Sequence, residues 1–99
     1  MKSYQLTHAA EDDLFEIWIF IAEDNLHAAD RLEADIFDAC QRVAQKPDLG
    51  HFRRDLTDKL VRFFAVRGTY LIVYDPDSSP LEVLRVLHGA RDVPTELEK

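Results

Sequence analysis

The sequence predicts an α+β domain in the order strand, helix, helix, strand, strand, strand (β-α-α-β-β-β), with both helices packed on one face of the sheet. Three observations carry this expectation. Apolar residues recur at helical spacing from about residue 8 to 46, and the period falls to two between Leu60 and His88. The change follows the turn sequence Pro47-Asp48-Leu49-Gly50. A chain of 99 residues has room for one core, so residues 1–99 are read as a single domain that ends in a short acidic tail, 93–99.

Ser3 to Thr7 alternates Tyr4 and Leu6 on one side, which suits one short strand. Thr7 is placed to cap a first helix over residues 8–24. Asp12 and Asp13 then oppose the helix dipole, and Ala10, Leu14, Ile17, Trp18 and Ile21 form the core-facing stripe. Phe15, Ile19 and Ala22 make a second apolar row, so this helix is either flanked on two sides or leaves an exposed ridge. Asp24-Asn25-Leu26-His27 breaks it. A second helix starts near Ala28, with Ala29, Leu32, Ile36, Ala39, Cys40 and Val43 on one face and charged residues on the other. Pro47 ends that helix, and a polar connection runs from His51 to Lys59.

Leu60–Val66, Thr69–Asp75 and Leu81–His88 read as an antiparallel meander. If Arg67-Gly68 is a two-residue turn, Val66 faces Thr69, and Arg62, Phe63 and Phe64 lie opposite Val73, Ile72 and Leu71. One face then gathers Val61, Phe63, Ala65, Tyr70, Ile72 and Tyr74, and the other Arg62, Phe64, Leu71 and Val73. A helical hairpin covers only one face, so the second calls for a cover. The tail Val93 to Lys99 is short and acidic, which points to a partner chain.

The formal charge is −7, and it is unevenly placed: residues 1–49 hold eleven acids and four bases, residues 50–99 eight of each. That sum disfavours a nucleic-acid binder of the usual basic kind. Six Phe, three Tyr and one Trp exclude a wholly disordered chain. The single Cys40 excludes an internal disulfide, and no run of 18 apolar residues or signal-like start is present, so a soluble cytoplasmic protein without a membrane partner is expected. Isolated glycines rule out a phosphate-cradling loop, and four scattered histidines without a His-x-x-x-His pair give no metal site, so neither metal nor cofactor is expected. The densest polar feature is Leu84-Arg85-Val86-Leu87-His88-Gly89-Ala90-Arg91-Asp92. Two arginines and a histidine at a strand end suit an anion or carboxylate site. Equally, Arg85 and Arg91 can pair with acids such as Asp55, Asp75 or Asp92 while His88 closes the core edge.

In this order the segments resemble the ParE/RelE family of bacterial type II toxins, and its ParE branch most. They are Leu6-Thr7 with Ala10, Asp13-Leu14, Ile17 to Ile21, Ala28-Ala29-Asp30-Arg31, Pro47 with Gly50, Arg53-Arg54-Asp55-Leu56, Tyr70 to Tyr74, and Arg85 to Asp92. The resemblance implies two alternatives. RelE-like members cut mRNA on the ribosome, which would assign catalysis to Arg62, His88 and Arg91, but Leu71 stands where that branch has an arginine and Leu97 where it has a tyrosine. ParE-like members poison DNA gyrase as binding proteins rather than enzymes, and a ParD-like antitoxin of the ribbon-helix-helix type wraps them. That reading makes Arg62, Arg85, His88 and Arg91 candidates for target contact and Phe15, Ile19, Phe64, Leu71 and Val73 candidates for antitoxin contact, with no sequence-specific nucleic-acid binding. A third alternative is a non-toxic relic that only binds its antitoxin.

Overall fold

In the computed structural model, which describes residues 3–98, the chain runs β1 (Tyr4–Leu6), α1 (His8–Ala22), α2 (Leu26–Gln45), β2 (His51–Phe52), β3 (Arg62–Val66), β4 (Tyr70–Asp75), β5 (Leu81–His88) and α3 (Val93–Leu97). Both long helices start where a short polar side chain accepts an otherwise unpaired backbone N–H. Thr7 accepts from Ala10 at 3.1 Å and Asn25 from Ala28 at 3.0 Å. The first helix stops at Ala22, two residues earlier than the periodicity suggests, and the second starts two residues earlier, at Leu26, because Asn25 supplies its cap.

The sheet order is β1-β5-β4-β3-β2, with β1 parallel to β5 and the other pairs antiparallel. The helical hairpin covers one face, as expected. Ala10 and Leu14 of α1, and Leu32, Ile36, Cys40 and Val43 of α2, pack on Val66, Ile72, Tyr74, Val83 and Val86. Tyr74 is fully buried, and its hydroxyl donates to Pro47 O at 2.6 Å while accepting Gly50 N–H at 2.9 Å. Gly50 is required there by space: a Cβ would lie 2.6 Å from that hydroxyl and 2.8 Å from Phe63 O. Among the described residues no helix is long and apolar enough to cross a membrane.

Three expectations are corrected. First, the connection after Gly50 is not wholly irregular: His51 and Phe52 pair with Phe63 and Arg62 as a short edge strand. Second, the β3–β4 register is shifted by one. Arg67 and Gly68 both take left-handed backbone (φ 57° and 68°) and Thr69 N–H donates to Val66 O at 3.1 Å, so the tight turn forms. Thr69 is then an extra residue, because its carbonyl accepts Gly89 N–H at 2.7 Å and pairing resumes at Val66 opposite Tyr70. A slip of one exchanges faces between strands. Arg62, Phe64, Val66, Tyr70, Ile72 and Tyr74 therefore share the helical side, while Phe63, Ala65, Leu71 and Val73 share the other.

Third, the tail covers that second face. Val93 and Leu97, one helical turn apart on α3, pack with Val61, Phe63, Val73 and Leu87, all of them buried, and Leu56, Leu71 and Leu84 border the cluster. The short helix is held by side chains. Asp92 accepts the Thr95 hydroxyl at 2.8 Å, and Lys59 Nζ and Arg85 Nη1 donate to Leu97 O at 3.0 Å and Glu96 O at 2.6 Å.

Leu97→Ala should lower the unfolding free energy by about 2 kcal/mol, measured by urea denaturation; a change below about 0.5 kcal/mol would show that the tail contributes no core. Burial also pushes the Cys40 thiol from about 9 up to about 12. Its proton is kept when folded and lost when unfolded above pH 9, so stability falls as pH rises from there. Between pH 9 and 10 the loss should be about 1 kcal/mol, and Cys40→Ala should remove most of it.

Candidate functional site

The polar segment at the end of β5 is shaped by a bulge. Val73 pairs with Arg85 but Tyr74 with Val83, so Leu84 is an extra residue on β5. Beyond it β1 has already ended, and Thr7, whose hydroxyl donates to Leu84 O at 2.8 Å, turns the chain into α1. Asp13, on the second turn of α1, occupies the place a neighbouring strand would fill and accepts Val86 N–H at 3.0 Å.

The same carboxylate takes Arg85 in a two-pronged contact, Nε at 2.6 Å and Nη2 at 2.8 Å. Arg85 also reaches Glu96 Oε2 at 3.4 Å. The side chains of Asp13 and Arg85 are only 13% and 14% exposed. The hydrogen bond that Arg85 donates to Asp13 pushes the guanidinium pKa further up, despite partial burial acting the other way. Arg85 thus pairs with Asp13 and Glu96, not with Asp55, Asp75 or Asp92, and its donors are engaged within the fold.

Around this pair lies a groove of about 760 Å³ between α1 and the end of β5. Ile17, Phe20, Tyr70 and Leu87 supply apolar walls, Asp12 and Glu16 an acidic side, and His88 and Arg91 a basic one. The His88 ring stands edge-on to Tyr70, with centroids 5.2 Å apart, and its Nδ1 accepts Ala90 N–H at 3.0 Å. That bond assigns the ring proton of a neutral His88 to Nε2. Arg91 is exposed, and among the described residues no carboxylate pairs with its guanidinium.

The structure brings Arg85, His88 and Arg91 to this groove and leaves Arg62 elsewhere. Arg62 pairs with Tyr74 at one end of β4 and His88 with Tyr70 at the other, on opposite flanking strands. Strand spacing and rise separate the two by ~16 Å, whereas proton transfer between two catalytic groups and one substrate atom needs reach of about 3 Å. Arg62 instead donates to Gly50 O at 2.7 Å and lies over the Phe52 ring, 4.3 Å from its centroid.

The apolar candidates divide. Phe15 and Ile19 stay exposed, at 62% and 37%. Val73 is buried beneath α3 and Leu71 half-buried beside it, whereas Phe64 lies on the opposite face, half-buried with Arg42 over its ring at 5.4 Å. These three therefore do not form one open surface; the register shift separates them and the tail closes over two. Sequence reasoning missed Phe20, which is 77% exposed and lines the groove. Its signal was an aromatic on an acidic stripe, four residues after Glu16 and seven after Asp13.

A helical hairpin laid on a sheet whose first strand runs parallel beside its last, with a groove at the end of that last strand, matches the α+β fold of ParE-type toxins. The family model described as ParE toxin of type II toxin-antitoxin system, parDE, matches residues 4–93, and the chain belongs to that family. The fold is similar to a solved structure titled "Chromosomal ParDE TA system from P. aeruginosa", with a TM-score of 0.71 at 19% identity over 89% of this chain and 96% of that one. No curated protein matches the sequence.

Replacing Arg85 by Ala strands Asp13 and should cost about 3 kcal/mol of unfolding free energy. Arg91→Ala should cost less than about 0.5 kcal/mol in the same denaturant titration. Equal losses would contradict the division between a structural and an available arginine.

Proposed function

We propose that this ParE-family toxin acts by binding DNA gyrase, and that a ParD-like ribbon-helix-helix antitoxin neutralises it by covering α1. The observation that carries the proposal is the uncovered row on that helix. Phe15, Ile19 and Phe20, with Leu26 at the start of α2, are exposed by 37% to 77%, an unusual density of large apolar groups for one solvent-facing element. Membership of a family defined by paired toxins and antitoxins supports a protein cover for it.

Residues 8–45 hold ten acids and two bases; Glu11, Asp12 and Glu16 lie among the exposed residues of α1, and exposed Glu23 follows at its end. A segment that covers the row therefore needs apolar anchors flanked by lysine or arginine. Phe15 and Ile19 remain antitoxin-contact candidates, joined by Phe20. His88 and Arg91 remain target-contact candidates because their side chains face a groove, whereas Arg85 serves by holding that groove's wall. No step of chemistry is assigned to the toxin. It works by occupying its target in a cytoplasmic encounter.

Expression without antitoxin should cause filamentation, and the purified toxin should inhibit supercoiling and accumulate cleaved DNA with gyrase. Undisturbed gyrase, or codon-registered cuts in translated mRNA, would overturn the assignment. Harmless expression would leave only antitoxin binding. Phe15→Asp and Phe20→Asp should each weaken antitoxin binding by more than about 2 kcal/mol, read by calorimetry; an unchanged Kd for both would move the antitoxin elsewhere.

A further inference from the structure

The opposite edge of the molecule carries a different surface. Phe52 on β2 sits beside Arg62 on β3, and two guanidinium groups lie over its ring, Arg62 at 4.3 Å and Arg54 at 5.9 Å from the centroid. Phe52 is 41% exposed although it is a large aromatic. A guanidinium stacked on a ring keeps its N–H donors in the plane, directed past the ring edge. Arg62 uses one of them, Nη1, on Gly50 O, which fixes its orientation and leaves the remainder.

Charge on this edge departs from the rest of the chain. Residues 51–62 hold four bases, Arg53, Arg54, Lys59 and Arg62, against Asp55 and Asp58, in a protein of net charge −7. Asp55 is occupied by Arg53 in a bidentate pair at 2.7 and 2.9 Å. Among the described residues, no carboxylate pairs with Arg54 or Arg62. The nearby hollow of about 330 Å³, bounded by Arg54 to Lys59 and Glu98, is lined mostly by polar groups.

We infer that the Phe52–Arg54–Arg62 edge is a sequence-independent contact for the phosphate backbone of duplex DNA. Planar donors held at fixed positions on a sheet edge suit successive phosphate oxygens. Nothing in the group is arranged to read bases, so the contact is one of charge. With four bases against two acids, this edge presents local positive charge to a polyanion although the whole chain is acidic. The inference goes beyond antitoxin and gyrase contact and stands without either.

The test uses the whole toxin and a fluorescein-labelled 20-base-pair duplex in fluorescence anisotropy. Two or three phosphate contacts predict a log–log salt slope of about −2 to −3, hence roughly a hundredfold weaker binding at 200 mM than at 25 mM NaCl. Arg54→Ala and Arg62→Ala should each reduce affinity at 25 mM by about fivefold, while Arg31→Ala, at an exposed position of α2, leaves it unchanged. Arg54 is exposed and its removal should spare the fold, so that variant decides the matter even if Arg62→Ala unfolds. Absence of salt-dependent binding, equal weakening by Arg31→Ala, or an unaffected Arg54→Ala would overturn the inference. Polyglutamate binding as tightly as DNA would overturn it in favour of an acidic protein partner.

Discussion

Asp13 and Arg85 tie three elements of the fold together at a single point. One carboxylate binds the guanidinium at two points and caps Val86 N–H, while the guanidinium reaches on to Glu96. Through it the first helix, the last strand and the terminal helix meet at one place. A mostly buried ion pair contributes little by itself, since desolvation consumes most of the attraction. Its value here lies in geometry. The β5 bulge aims Arg85 at α1, the end of β1 vacates the space Asp13 fills, and Thr7 both caps the helix and ties it to Leu84. Without this joint neither the groove beside His88 nor the helix over the second sheet face would have a fixed wall.

Which surfaces remain open follows from closure of the two sheet faces. The helical hairpin buries one side, and Val93 and Leu97 seal the other. What is left over is the outer side of α1 and two sheet edges. The apolar excess of this protein therefore resides mainly on a helix, as Phe15, Ile19 and Phe20, with Phe52 alone, among the described large exposed groups, on the sheet edge. That location matters chemically, because the same helix is strongly acidic and so restricts which partner segments can lie on it.

Charge is unevenly distributed over the molecule. Carboxylates crowd α1 and α2, while Arg54 and Arg62 sit over Phe52 on the far edge strand. The groove at Arg91 and His88 lies at the other end of β5, remote from that edge. The Phe52 edge is thus separate from the groove, whereas the groove shares Phe20 with the exposed side of α1. A net charge of −7 conceals this separation.

Much of the architecture was legible in local sequence. Thr7 as cap, the buried faces of both helices, Pro47 as the break and the span of Leu81–His88 are all set by residues within a few positions of one another. Part of the site was legible too, since Arg85, His88 and Arg91 do converge on one region. The partners were not. Asp13 and Arg85 are 72 residues apart, and no periodicity reports that they touch. Nor does any local pattern show that Thr69 becomes an extra residue, because this depends on its carbonyl meeting Gly89. One inserted residue exchanges the faces of Phe63 and Phe64, and so decides which aromatic joins the helical core. The sequence by itself determined the elements, whose causes are short-range: caps, breakers and spacing. Only the tertiary structure decided register, the use of the tail and the open surface, because these rest on contacts between distant segments that exist only once the chain has closed.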